Sequence, residues 1–230
     1  AEIAPGMVNW ADVLKGTHWF HMSGITPALS PGAAEAAIEA VKNAKQKGVT
    51  VSCDLNYRKK LWGREQAEKT MSLVMQHVDV VIANEEDAEM VFGIKASGED
   101  VHSGKLDASR YQSVGEQLMK RFPALKSVAI TLRESISASD NNWSGVFWDG
   151  KKFHQSNKYS MRIVDRVGGG DAFAAGLIYG MLTGMSTQET LEFATASSCL
   201  KHTIPGDFNH VSVAEVSALI KEGGSGRVQR

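Results

Sequence analysis

Cysteine is scarce in this chain. Cys53 and Cys199 are its two thiols and lie far apart, which excludes a disulfide scaffold and points to a reducing, cytoplasmic setting. An excess of either charge is missing as well. Twenty-five Lys and Arg stand against 26 Asp and Glu, a formal net charge of -1, so the basic bias of a nucleic-acid or membrane-surface binder is absent. No apolar run approaches the roughly 18 residues that cross a bilayer. Neither nucleic acid nor membrane is therefore expected as a partner. What the sequence does contain is 43% hydrophobic and 22% charged residues over 230 positions, the balance of a globular chain rather than of a disordered or collagen-like one. It opens AEIAPGMVNW, without an initiator Met or a leader pattern, and reads as the middle of a longer protein.

The apolar pattern alternates between strand and helix. The first strand falls on THWFHMSG, 17–24; Ser30 then caps and Pro31 opens a helix whose Ala-rich body, 33–46, stops at Gly48. VTVSCDLN is the next strand, YRKKLWG a basic loop, and 64–77 a helix. VDVVIAN is a short continuous apolar strand, the kind buried on both faces of a parallel sheet. NEEDAEMVFG opens a helix whose first-turn acids suit the helix dipole. A polar loop over 95–108 is expected to be mobile, and a helix through YQSVGEQLMKRF leads to the strand KSVAITLR. WSGVFWDGKKFHQS predicts a hairpin with Asp149-Gly150 as its two-residue turn. Helices over DAFAAGLIYGML, 187–201 and 213–220 follow, and 222–230 reads as a frayed tail. The alternation predicts an α/β fold: a mostly parallel sheet with helices on both faces, in one domain over 1–230. Ligands in such sheets sit beyond the carboxyl ends of the strands.

The feature richest in chemistry is Asp165-Arg166-Val167-Gly168-Gly169-Gly170-Asp171, just ahead of a helix. Consecutive glycines let a ligand approach the main chain. The N–H groups of the first helical turn then receive an anion, with the helix dipole favouring negative charge. Gly168, Gly169 and Gly170 would form an anion hole for a phosphoryl group, and Asp171 would accept the proton of an attacking hydroxyl. A tight turn with Asp171 as an ordinary helix cap explains the same residues, and at this point both readings stand. The loop is not a dinucleotide fingerprint, since Phe173 stands where a third glycine is needed, and Asp171 stands where a phosphate-binding loop needs Lys. Gly145 to Lys151 comes near such a loop, but Lys152 replaces its hydroxyl residue and the hairpin explains the segment better. His18 with His21, and Cys199 with His202, have metal-like spacings without the other two ligands of a zinc site. Asn142-Trp143-Ser144 fits a glycosylation sequon in a chain with no other sign of secretion.

VDRVGGGDAFAAGLIYG resembles the C-terminal signature of the ribokinase-like, or PfkB-type, carbohydrate kinases, with the core Asp-Thr-x-Gly-Ala-Gly-Asp; here Arg166 replaces Thr and Gly169 replaces Ala. FHMSGITPALS, CDLNYRKKLW, VIANEEDAEMVFG, ITLRES and IPGDF extend the resemblance, in the family's order, from about 17 to 212. They narrow it to the bacterial 2-dehydro-3-deoxygluconate kinases of that family. The resemblance implies a ribokinase-like fold and ATP-dependent phosphorylation of 2-dehydro-3-deoxy-D-gluconate to its 6-phosphate. Asp171 matches the catalytic base and Gly168 to Gly170 the anion hole. Ile25, Arg58 and Asp207 match substrate contacts, Ile25 through its backbone. An acid substrate rewards the forked guanidinium of Arg58; read by itself, Arg58 with Lys59 and Lys60 is also a solvated basic loop, and Asp207 a turn residue. Nucleotide contacts are implied at Asn84, at Thr131, Arg133, Ser135 and Ser137, at Gly168 and Gly170, and at Thr195 and Ser198.

The family's Asn-x-x-Glu element appears as Asn84-Glu85-Glu86-Asp87, leaving Glu86 and Asp87 as alternatives toward Mg²⁺, which takes few carboxylates beside phosphates and water; these acids equally mark a helix start. The resemblance also implies a monovalent cation near Asp165 and a homo-oligomer in the full-length form. The family begins with strands and a β-lid not found here, so an incomplete substrate pocket and an uncovered sheet edge are expected. Rival readings are another kinase of the family, acting on fructose, ribose or a nucleoside, and a nucleotide- or sugar-acid-binding fragment without catalysis.

Overall fold

In the computed structural model, which describes residues 2–96 and 107–223, seven strands form a mixed sheet in the order β1-β2-β3-β4-β5-β6, with β7 paired to β5. The described residues fall into two compact units, one of residues 2–96 with 112–129, the other of 107–111 with 130–223. The centre of the polar loop expected over 95–108 and most of the tail expected over 222–230 lie outside the described residues.

In the first unit β1 (Trp19–Ser23), β2 (Thr50–Asp54) and β3 (Val80–Asn84) run parallel. The register pairs Ser23 with Asp54 and Asp54 with Ile82, so their carboxyl ends finish on one side. Val80, Val81, Ile82 and Ala83 are all buried, as a continuous apolar strand between covering layers requires. Helix α1 (Trp10–Val13) precedes β1, and α2 (Pro31–Gln46) packs on β1 and β2. Ser30 caps α2 by accepting the N–H of Ala33, with Pro31 at its first position, and Gly48 leaves it at φ +72°. α3 (Arg64–Met75) packs on α2 and α4 (Asp87–Phe92), and α5 (Arg110–Arg121) leads to β4 (Ser127–Ser135).

At the opposite, amino-terminal end of these strands the buried Asp79 ties the layers together. Its carboxylate accepts the N–H of Val51 at 3.0 Å and pairs with Lys45 from the last turn of α2 and with Lys126 at 3.0 Å. Its carbonyl receives the N–H groups of Lys126 and Ser127 at the entry to β4. Burial works to raise its pKa, but the bonds from Lys45, Val51 and Lys126 outweigh it and hold the carboxyl below its ordinary value.

In the second unit β5 (Asp140–Trp148) runs antiparallel to β6 (Phe153–Gln155) and to β7 (Tyr159–Arg162). Trp148 pairs with Phe153, which centres the hairpin turn on Gly150 and Lys151 rather than on Asp149-Gly150. The cause is the Asp149 carboxylate, which accepts the N–H groups of Lys151 and Lys152 and so caps the turn from outside, leaving φ +86° to Gly150. The sequence gives β7 little signal: four residues with Tyr159 and Met161 facing in.

Helices α6 (Gly169–Leu182), α7 (Thr187–Lys201) and α8 (Val213–Lys221) complete this unit, with α7 lying against β5, β6, β7, α6 and α8. Capping boxes start α7 at Ser186 with Glu189 and α8 at Ser212 with Glu215. α6 and α7 approach closely because α6 presents glycine: a Cβ on Gly176 would lie 2.8 Å from Ala194 Cα, and one on Gly180 would lie 2.9 Å from the Thr190 side chain.

Candidate active site

The carboxyl ends of β1 to β3 carry three of the expected segments. Gly24 follows β1 where a Cβ would stand 2.1 Å from the Leu55 carbonyl oxygen, so only glycine lets the two strand ends meet. Ile25 begins a 3₁₀ turn over Thr26–Ala28; its N–H donates to Ser23 Oγ at 3.3 Å and its carbonyl accepts Ala28 N–H. The same hydroxyl receives Asn56 Nδ2 at 3.2 Å. Asn56 is the one described non-glycine residue with positive φ, at +40°, a backbone state uncommon outside glycine and worth a functional question. Sequence reading passed it over; an Asn between a strand and a basic loop was the available signal.

Arg58, next along that loop, is exposed, donates weakly to the neighbouring Tyr57 carbonyl at 3.3 Å, and has no carboxylate partner among the described residues. Asp87 is the opposite case. It is buried, with Oδ1 accepting Tyr57 N–H at 3.1 Å and Oδ2 accepting Asn84 N–H at 3.0 Å. Asn84 Oδ1 returns the bond by accepting the N–H groups of Glu86 and Asp87. Burial raises the Asp87 pKa against those two backbone bonds and Arg58. Asn84 and Asp87 thus brace the start of α4, while Glu86 is exposed with its carboxylate unengaged among the described residues.

The second unit gathers the glycine segment. α6 begins at Gly169, so two of the three glycines are its first helical residues, and only Gly168, at φ +77°, stands outside as the N-cap. The helix expected over DAFAAGLIYGML thus starts two residues earlier, behind one left-handed residue. Asp171 falls in the first turn, not at the cap. It is exposed, and its carboxylate has no hydrogen-bond partner among the described residues. Gly169 N–H reaches Arg166 O at 3.4 Å and Ala172 N–H reaches Gly168 O at 2.9 Å. The N–H groups of Gly170 and Asp171 meet no acceptor among the described residues, as donors of a first helical turn do unless capped.

This helix start is held from behind. Ser198 Oγ donates to Gly169 O at 2.7 Å, and the His202 ring lies so close that a Cβ on Gly169 would stand 2.4 Å from it. His202 Nδ1 bonds to Ser198 O at 2.7 Å, and its carbonyl receives Val164 and Asp165 N–H. Burial lowers the His202 pKa, keeping the ring neutral. The Asp165 carboxylate accepts the N–H groups of Val167 at 3.0 Å and Gly206 at 2.9 Å, and these bonds hold its pKa below the ordinary value. Asp207 is exposed, and its carbonyl oxygen would lie 2.5 Å from a Cβ on Gly168. Asp171, Asp207 and the glycines therefore stand together.

The remaining expected nucleotide contacts are dispersed. Thr195 and Ser198 are fully buried, and their hydroxyls donate to the carbonyls of Leu191 and Gly169. Ser137 closes the turn after β4, accepting the N–H groups of Ser139 and Asp140, and Ser135 Oγ bonds to Asn141. Thr131 is buried, and Arg133 is half-buried with Nε lacking a hydrogen-bond partner among the described residues. Arg166, in place of the family's Thr, reaches Ala138 O at 2.9 Å. A depression of about 300 Å³ is lined by Ser72, Gln76, Arg121 and Phe122 to Ala124, none of them an expected site residue.

Parallel strands with polar loops at their carboxyl ends, and a glycine-opened helix beside a free carboxylate, define a ribokinase-like α/β protein. The chain belongs to the pfkB family of carbohydrate kinases, whose model matches residues 5–209. It is similar to the crystal structure of 2-dehydro-3-deoxygluconokinase from Thermotoga maritima, with 49% identity and a TM-score of 0.86 over 93% of this chain and 63% of that one. It is 27% identical to the 2-dehydro-3-deoxygalactonokinase of Haloferax volcanii over 94% of this chain and 61% of that protein. To the 5-dehydro-2-deoxygluconokinase of Clostridium perfringens it is 26% identical, over 82% of this chain and 50% of that protein. The chain thus spans between half and two thirds of the length of these relatives.

Proposed function

We propose that the chain phosphorylates a hydroxyl of a deoxy keto-sugar acid with ATP, and that its substrate is 2-dehydro-3-deoxy-D-gluconate, converted to the 6-phosphate. One observation carries the reading: the unengaged Asp171 carboxylate stands in the same helical turn as the unengaged N–H groups of Gly170 and Asp171. A base and an anion receptor side by side are what phosphoryl transfer to a hydroxyl needs. The substrate oxygen attacks the γ-phosphorus, its proton passes to Asp171, the bond to the β–γ bridging oxygen breaks, and ADP leaves. The helix start receives the phosphoryl charge. The exposed guanidinium of Arg58 would hold the substrate carboxylate in a fork. Mg²⁺, when bound, supplies charge neutralisation on the phosphate oxygens. Of the two expected acids Glu86 has free oxygens toward it, whereas both oxygens of Asp87 are engaged. Support for a sugar-acid substrate comes from the relatives, whose names specify deoxy-dehydro-sugar kinases.

ADP release measured with 2-dehydro-3-deoxygluconate, its galactonate epimer, 5-dehydro-2-deoxygluconate, fructose and ribose tests this. Turnover should be highest with the first. A maximum on 5-dehydro-2-deoxygluconate would shift the assignment to the activity named for the clostridial relative. ATP binding without turnover on any sugar would leave a binding fragment. Asp171→Ala should lower kcat by about 10²–10⁴-fold while nucleotide still binds; unchanged turnover would remove Asp171 from the reaction.

A further inference from the structure

Lys201 is a fully buried lysine, at 0% exposure, for which phosphoryl transfer as described has no use. Its ammonium, at the last residue of α7, donates to the carbonyl oxygens of Ile204 at 3.1 Å and Gly206 at 2.7 Å. Its stem passes Gly168, where a Cβ would lie 3.2 Å from Lys201 Cε. The Asp165 carboxylate accepts the N–H of the same Gly206 and feels the charge of Lys201, which adds to the lowering of its pKa. A buried charge is costly unless oxygens and a counter-charge surround it. Converging carbonyls beside a carboxylate are also the surroundings an alkali cation selects.

We propose that the Lys201 ammonium is a tethered cation occupying the place beside Asp165 where a monovalent ion is expected of the family, so that the glycine turn is held without K⁺. Both requirements of such an ion are met from within the chain. The charge balances Asp165, and the donors pull the carbonyls of Ile204 and Gly206 together. That closes the segment whose next residue, Asp207, packs its carbonyl on Gly168. The residues around Asp165 do not favour a second cation: it would meet the charge of Lys201, and the carbonyls of Ile204 and Gly206 are already drawn to that ammonium. Lys201 is thus a positioning residue. It acts on the turn that receives the phosphoryl group and touches no reacting atom.

The test is thermal unfolding in KCl against tetramethylammonium chloride at equal ionic strength, a readout independent of which sugar, if any, is phosphorylated. The wild-type melting midpoint should be the same in both salts. Lys201→Ala should melt lower and regain part of the loss in KCl alone, a K⁺-specific rise of about 3 °C or more once the ion is well above its dissociation constant. If the alanine variant does not fold, Lys201→Gln, which keeps a donor but no charge, decides in the same way. A K⁺-specific rise in the wild type overturns the assignment. So does a folded variant that melts alike in both salts.

Discussion

Gly168 meets two independent demands. Its φ of +77° disfavours any side chain, and a Cβ would strike the Asp207 carbonyl oxygen at 2.5 Å. Gly168→Ala should therefore cost about 2 kcal/mol or more of stability, read as a lowered denaturant midpoint, and should depress turnover beyond what partial unfolding explains. Arg58 bears on a different quantity. It makes no ion pair among the described residues, and the buried Asp87 whose charge it favours is also held by two backbone N–H groups, so its loss should disturb the fold little. Arg58→Ala should leave the melting midpoint unchanged while raising KM for the sugar acid about tenfold to a hundredfold, the value of a charge-assisted bond. An equal loss for fructose would detach Arg58 from carboxylate recognition. Asp171, Arg58 and Asp207 stand out in the sequence because each lies in a short, ordered string of unusual residues. Lys201 and Asn56 were not. A lysine in a helical stretch reads as a solvated face until the chain folds its last turn around the ammonium, and the left-handed φ of Asn56 leaves no mark in composition.

At the scale of elements, strand and helix positions followed from apolar period and caps: Ser30-Pro31 opens α2 and the continuous run at 80–83 is β3. The failures were local. Asp149-Gly150 carried the usual hairpin signal, yet the Asp149 carboxylate caps the turn from outside and moves its centre by one residue. Thr195 and Ser198 look like ligand-facing hydroxyls. In a buried helix a hydroxyl can instead bond to a carbonyl one turn back or on a neighbouring element, and both do. The α6–α7 contact depends on glycine in the same way. Gly176→Ala should force the helices apart at Ala194, costing about 1–3 kcal/mol, or roughly 2–4 °C in midpoint per kcal/mol for a chain of this size. An unchanged midpoint would mean the pair yields without strain.

For the whole molecule, acid stability follows from carboxylates fastened in the folded state. Asp79 and Asp165 are both held below the ordinary value of 3.8. Each stabilises the fold in full above that value and loses its contribution as pH falls through its own lowered pKa. The urea midpoint should therefore drop as the pH is taken from about 5 toward about 3. Asp79→Asn should start lower at neutral pH by about 1–3 kcal/mol and show a shallower fall; an equally steep fall would locate the acid sensitivity elsewhere. The sheet order was legible only in part: alternation implies parallel strands, whereas the antiparallel β5 to β7 arise from hairpin connections whose short strands carry few apolar residues. β1 ends that order beside β2. The base of α6, lastly, is clamped by Ser198, His202 and the 206–207 carbonyl segment, all parts of the chain itself. If the phosphoryl group is received there as proposed, it would lose its own freedom on arrival while the protein surrendered almost none.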